Sequence, residues 1–342
     1  HYRLLGNMFL SYNFLEDFTF KTSVGIDINN FKRDTFSPST LQRRGQNGAT
    51  EAFGRSRSDF TTNYVLENTL VYNKEINETH NINAIIGFSA QKNRTERNFV
   101  RVTGFPNDLV ETLNAGTIVE TGFSNGSEWS LLSYFTRLEY DYNGKYLLSA
   151  SARADGSSRF SKNNKWGYFP SASAGWIISK EDFFNSESIV NFLKVRASYG
   201  LNGNFDIGNY ESIALLQTDN YVFGEGDGTI GNGLRPGNLP NDELTWEKTA
   251  SWNVGLDVSF FNKKLDLGID VYESISKDFL FNVPTPAFTG YSSFLENRGK
   301  IKNAGYEIVW ANDIDADSVK TYQRNIGHHI YHGDIEKIRN NK

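Results

Sequence analysis

"YLLSASARADGSS", Tyr146 to Ser158, decides how this chain folds. Every second residue is apolar: Tyr146, Leu148, Ala150, Ala152 and Ala154. The residues between them, Leu147, Ser149, Ser151, Arg153 and Asp155, are mostly polar. A period of two belongs to an extended strand, whose side chains point alternately to opposite faces. The stretch therefore reads as a strand with one apolar and one wet face.

The same period recurs outward in both directions. Leu4, Met8, Leu10, Tyr12 and Phe14 carry it near the start, followed by Phe18, Phe20, Val24, Ile26 and Ile28. It returns at Phe60 to Tyr72, His80 to Ala90 and Leu132 to Tyr142. Trp166 to Ile178, Leu193 to Leu201, Trp246 to Phe260 and Leu265 to Val271 continue it. Several of these segments alternate for about 10 residues or more, against roughly 5–6 for ordinary strands, which is long enough to cross a bilayer at a tilt. Some connections are tight: Leu15-Glu16-Asp17, Asn143-Gly144 and Phe261 to Lys264. Others are long and polar: Asn29 to Ser58, Gly104 to Glu128, and Asn202 to Glu243. Short turns on one side and long loops on the other are the habit of outer-membrane barrels. Tyr140, Tyr142, Tyr146, Trp246 and Phe260 fall near the ends of the apolar faces, where rings with one wet end suit the headgroup zone. The pattern predicts an all-β protein, an antiparallel transmembrane β-barrel with apolar residues toward lipid and polar residues toward a wet lumen. A soluble β-sandwich or propeller, with the apolar face inward and shorter strands, is the alternative reading.

Composition narrows the function classes. The chain has 342 residues and a net charge of -5, which carries no basic footprint for nucleic acid. It has no Cys, so disulfides, thiolate metal sites and a thiol nucleophile are excluded. Five His make a His-rich metal site an unpromising expectation, and no cofactor or metal is expected. No apolar run is long enough for a transmembrane helix. The opening "HYRLLGNMFL" lacks a signal-peptide pattern, and the chain reads as a fragment.

Four longer motifs carry a resemblance. "ARADGSSRFSKNNKWGYFPSASAGWIIS" (Ala152–Ser179), "LKVRASYGLNGN" (Leu193–Asn204), "ELTWEKTASWNVGLDVSFFN" (Glu243–Asn262) and "NRGKIKNAGYEI" (Asn297–Ile308) occur in that order. Together they resemble SusC/RagA-type TonB-dependent outer-membrane transporters over residues 1–308. The resemblance implies a barrel of about 22 strands closed by a plug. It implies import of oligosaccharides or peptides in the outer membrane of a Gram-negative bacterium. It further implies a SusD-like surface lipoprotein as lid, energy from the TonB complex, and no catalysis. About 10 to 12 strands are countable by alternation. The plug, the TonB-contacting segment and the last strands are expected to be absent from this stretch.

Residues 309–342 break the pattern. Ala316, Val319, Tyr322 and Ile326 follow a helical spacing that Asp315 or Asp317 would cap, and "HIYHGDI" reads as a short strand. "EIVWANDIDADSVKTYQRNIGHHIYHGDIEKI" resembles part of a C5-cytosine DNA methyltransferase. That resemblance implies Asp313 at a cofactor ribose and Asp334 at its adenine, with the Gly-rich motif and catalytic Cys of that family absent. A gene join near Gly305 to Trp310 is the corresponding expectation, and a barrel turn with a helix is the alternative.

Candidate sites follow from residue type and place. Trp129, Tyr210, Tyr221 and Phe223 sit in or near the long loops and are candidates to stack on cargo rings. Glu139, Asp141, Arg153 and Asp155 are expected to line the lumen as a charged ladder, either setting selectivity or simply solvating the wet face. Gly226 to Gly231 matches a dinucleotide fingerprint formally but lies in a loop, without the strand before and helix after that such a site needs. Asn77, Asn93 and Asn125 begin glycosylation-type triplets and read as polar loop residues.

Overall fold

Strands dominate the computed structural model, which describes residues 1–41, 51–185, 189–224, 229–261, 264–313 and 331–332. In chain order they are β1 (Tyr2–Phe14), β2 (Phe18–Ser37), β3 (Phe53–Ile76), β4 (His80–Thr103), β5 (Ile118–Tyr142), β6 (Tyr146–Ser157), β7 (Trp166–Ile177) and β8 (Val190–Asn204). There follow β9 (Leu216–Phe223), β10 (Thr229–Pro236), β11 (Glu247–Phe260), β12 (Leu265–Lys277), β13 (Leu280–Pro284), β14 (Ser293–Asn297), β15 (Lys300–Asp313) and β16 (Tyr331–His332). Twelve of them form one sheet in the order β1-β2-β3-β4-β5-β6-β7-β8-β11-β12-β15-β16. The remaining four form two separate hairpins, β9–β10 and β13–β14.

The tight turns share one geometry. Asn143 and Gly144 have φ of 54° and 60°, the left-handed pair that an Asn-Gly hairpin supplies cheaply. Leu15 and Glu16 adopt φ of 48° and 54°, and Asn77 and Glu78 adopt 53° and 57°. A left-handed non-glycine residue costs about 1–2 kcal/mol. The flanking strand ladders hold these turns in place.

Strands extend well past the apolar belt. β3 and β4 have 24 residues each and β5 has 25, so the connections expected at Asn29 to Ser58 and Gly104 to Glu128 are largely strand. Beyond the belt both faces are mostly polar, as in Asn29-Asn30-Phe31-Lys32-Arg33-Asp34 with Phe31 the one apolar residue. Alternation then vanishes while backbone pairing continues.

The chain divides into two compact units. The first comprises His1–Ser11, Lys21–Asn68 and Phe88–Leu132. Its small core holds Ala52, Phe53, Val102 and Thr103. The guanidinium groups of Arg55 and Arg101 each lie 4.6 Å from the Phe53 ring centre, a cation–π arrangement. Ser39 donates its backbone N–H (2.9 Å) and hydroxyl (2.8 Å) to Asp108, whose carboxyl is thereby held below its ordinary value.

The second unit comprises Tyr12–Phe20, Thr69–Gly87 and Ser133–Lys342. Its register separates the two faces. Leu148, Ala174, Ala197, Val254, Val271 and Tyr306 are consecutive partners across six strands and share one face. The neighbouring row, Leu147, Gly175, Arg196, Gly255 and Asp270, lies on the other. Leu148 is 51% exposed and Val271 46%, whereas Asp270 is 4% exposed. The apolar face is open, and the most deeply covered side chain of these two rows is the charged Asp270, the reverse of a soluble sandwich.

Buried aromatic packing sits instead among the connections. The Trp246 ring lies 5.3 Å from each of Phe160, Phe169 and Phe205, and its indole N–H donates to the Lys165 carbonyl at 3.0 Å. Leu244, two residues before it, is buried as well, and so is Ile207 in the connection after β8. Gly167 and Gly203 face the Phe169 ring where a Cβ would collide with it. Trp246 is thus a core residue, 2% exposed, and not the headgroup anchor its strand-end position suggested. The long connection before β11 folds back over the indole, which strand alternation does not reveal.

At the Asn143-Gly144 end, Glu181 ties β6 to β7. It accepts from the Trp176 indole at 2.9 Å and from Lys145 at 3.2 Å. Hydrogen bonds from Tyr146, Trp176 and Lys145 hold the Glu181 carboxyl below its ordinary value, and Glu181 holds the Lys145 ammonium above its own. The Glu181 contribution is present above the ordinary carboxylate value and is lost as pH falls through its lowered one. The Lys145 contribution is present below the ordinary ammonium value and is lost as pH rises through its raised one. Denaturant titrations of the full-length protein in detergent are therefore expected to show a shallower loss of stability below about pH 4 in Glu181→Gln than in the parent. Identical acid limbs would show that the Glu181 carboxylate does not stabilise the β6–β7 turn end.

β15 runs without a break from Lys300 to Asp313 and pairs with β12 from Lys277 to Leu265, with one register shift opposite Gly268/Ile269. The proposed join at Gly305 to Trp310 thus falls inside a strand that is paired to β12 on both sides of it, and the one register shift, between Ile308 and Trp310, lies within it. β16 pairs with the end of β15 in parallel, Asn312 with Tyr331 and Asp313 with His332. The helical spacing at 316–326 and Asp334 lie outside the described residues.

Candidate functional site

The polar face of the second unit is the candidate site. Small hydroxyl side chains carpet it. Ser149, Ser173, Ser198 and Asn253 are successive register partners on β6, β7, β8 and β11. Hydroxyl pairs Ser151–Ser171 (2.7 Å), Ser251–Ser274 (2.9 Å) and Thr249–Ser276 (2.8 Å) bridge neighbouring strands. Period-two alternation places these residues on one face, and antiparallel register sets them side by side.

Charges punctuate the carpet. Arg196 on β8 reaches past its own partner strand. Its Nη2 donates to Asp270 Oδ2 on β12 at 2.7 Å, and its Nε donates to Asp257 on β11 at 3.2 Å. Gly255, the register partner of Arg196, makes that reach possible: a Cβ there would stand 2.5 Å from the guanidinium carbon. Asp270 Oδ1 is buried without a hydrogen-bond partner among the described residues. A cavity of about 790 Å³ opens on this face, lined in part by Asn73, Lys74, Glu139, Asp141, Lys194, Arg196 and Asn253. Such a surface can hold polar, hydroxyl-rich or zwitterionic material by many weak contacts. Among the described residues no three His, Cys, Asp or Glu converge as a metal site would require.

Among the four charges expected to form a ladder, the only pairing is Arg153 with Asp155, and no cross-strand contact joins the set. Arg153 pairs with Asp155 of its own strand at 2.8 Å and donates to Ser133 at 2.9 Å. Glu139 pairs with Arg137, again within one strand. Asp141 accepts the Gly144 N–H at 2.6 Å and serves the turn. Glu139 and Asp141 line the cavity; Arg153 and Asp155 do not. The cross-strand network is Arg196–Asp257–Asp270, which residue-by-residue reading missed. Its signal is Gly255, and it becomes legible only when register sets that glycine opposite Arg196.

The aromatic candidates separate as well. Trp129 lies inside β5, not in a loop, because β5 begins at Ile118. Tyr210 sits in the connection after β8 with φ of 71°. Tyr221 and Phe223 share β9 and are both exposed. Of the Gly226 to Gly231 stretch, Thr229 to Gly231 belong to β10 and the rest lies outside the described residues. Asp313 ends β15, with its backbone paired to Leu265.

These geometries meet the comparisons with known proteins at one point. The TonB dependent receptor-like β-barrel family matches residues 4–331. The chain belongs to that family. It is part of an outer-membrane β-barrel of a Gram-negative bacterium, and its open apolar face is the lipid-facing wall. TonB-dependent receptor P39 of Formosa agariphila is 37% identical over 302 residues, covering 88% of this chain and 28% of the relative. TonB-dependent receptor SusC of Bacteroides thetaiotaomicron is 39% identical over 185 residues, 52% of this chain and 18% of the relative. The structure of the RagAB peptide importer in its 'closed-closed' state superposes with a TM-score of 0.79 at 28% identity, covering 89% of this chain and 33% of that one. This barrel segment thus spans roughly a third or less of the relatives it matches. The family match crosses the expected join and includes Asp313, so the methyltransferase likeness of the tail finds no support.

Proposed function

We propose that this receptor segment forms wall and external loops of an importer that carries oligosaccharides or peptides across the outer membrane. The observation that carries the reading is the separation of faces, with Leu148, Val254 and Val271 open on one side and the serine carpet with Arg196–Asp270 on the other. A lipid-facing row and a hydroxyl-rich lumen row are what a channel for large polar solutes needs. In this reading the full-length protein works with a SusD-like lipoprotein and draws energy from the TonB complex. The segment adds no chemistry of its own; it binds and guides.

Deleting the gene in its native bacterium is expected to abolish growth on the cargo as sole carbon source, with restoration by the full-length gene. Affinity purification of the full-length receptor is expected to bring down a surface lipoprotein. Unchanged growth on every oligosaccharide and peptide source would defeat the import reading.

A further inference from the structure

The β9–β10 hairpin has one face with a different chemistry from the rest of the connections. Register places Gln217 opposite Arg235, Asp219 opposite Gly233 and Tyr221 opposite Gly231. These residues share one face with Phe223. The Tyr221 and Phe223 rings lie 4.9 Å apart at 63°, and they are 66% and 62% exposed. Gly231 lets the Phe223 ring lie against β10, since a Cβ there would be 2.7 Å from it. Arg235 pairs with Asp219 at 3.3 Å, and with its carboxamide turned over Gln217 would present its oxygen to the Arg235 Nε at 3.0 Å. The opposite face, with Leu216, Val222, Ile230 and Leu234, offers neither rings nor ionic groups.

We propose that the Tyr221–Phe223 face of this hairpin is a binding site for the pyranose rings of an oligosaccharide. The proposal deepens the import reading and rests on it. A pyranose has a C–H face that packs on an aromatic ring and a rim of vicinal hydroxyls. Tyr221 and Phe223 supply the ring surface. Asp219, Arg235 and Gln217 supply planar acceptors and donors suited to paired hydroxyls. Asp219 and Arg235 neutralise each other, so the face suits an uncharged ligand. Two glycines leave the surface flat, without the side-chain pockets that select a peptide.

The test uses the full-length receptor in its native outer membrane. The probes are a labelled pool of maltohexaose, laminarihexaose and xylohexaose, and a labelled tryptic casein digest. Surface binding and uptake are measured for the parent, for Tyr221→Ala with Phe223→Ala, for Asp219→Asn, and for Leu234→Ala on the opposite face. Barrel integrity is followed by heat-modifiable migration. The expected result is sugar binding that falls at least tenfold in the double variant, as for buried aromatic anchors. It falls less in Asp219→Asn and is unchanged in Leu234→Ala. Sugar binding by the double variant equal to the parent overturns the site and leaves the import reading intact. Binding and uptake of peptides alone overturn the sugar assignment and also leave import intact. No binding or uptake of either pool overturns both.

Discussion

Trp246→Ala is expected to open the connection between β8 and β11. The indole contacts Phe160, Phe169 and Phe205 at 5.3 Å each and is 2% exposed. Removing a buried Trp from such packing costs about 3–5 kcal/mol. Each 1.4 kcal/mol is a factor of ten, so the opened loop population rises by roughly two to three and a half orders of magnitude. The strands beneath stay hydrogen-bonded to their neighbours, so the loss is local. Limited proteolysis of the full-length receptor in detergent is the measurement. Rapid cleavage within 205–245, with heat-modifiable migration retained, is expected. Gly203→Ala attacks the same cluster from the other side, because its Cβ collides with the Phe169 ring. Its expected cost is about 1–3 kcal/mol, the range for forced overpacking. A protease-resistant Trp246→Ala loop would show that the cluster does not hold the connection.

Arg196→Met is expected to be the other large effect. Arg196 is the guanidinium beside Asp270, whose carboxylate is almost fully covered, and it also serves Asp257. Breaking a buried pair leaves a buried charge without compensation, at about 3–5 kcal/mol. Arg196 is itself one-third exposed, its side chain at 34%, so water relieves part of the loss and the lower end of that range, about 3 kcal/mol, applies. Arg196→Lys lacks the fork needed for two carboxylates and is expected to recover only part. Asp270→Asn added to Arg196→Met removes the stranded charge and is expected to recover more. Guanidinium titration of the full-length receptor in detergent reads all three. Additive behaviour of the two substitutions would show that the residues are not coupled.

Alternation through Tyr146, Leu148, Ala150 and Ala152 was enough to name the strand and its lipid face. It was enough because side-chain direction in a strand depends only on position parity. Asn143-Gly144 likewise announced its hairpin, since both residues tolerate the left-handed backbone. Leu15-Glu16 adopts the same turn without that chemistry, driven by the paired strands on either side. The strand extensions Asn29–Ser37 and Ile118–Leu131 gave no signal, because polar residues on both faces erase the period.

Parity, apolar runs and the four ordered motifs therefore determined the fold class, the two faces and the family. Only tertiary structure decided which polar residues meet. Arg196 and Asp270 are 74 positions apart in sequence and come within 2.7 Å through the register of three strands and the bare backbone at Gly255. Trp246 reads as a strand-end anchor and becomes a core residue because the 42-residue connection between β8 and β11 folds back on it. Register and loop closure are long-range, and a single strand's pattern carries neither.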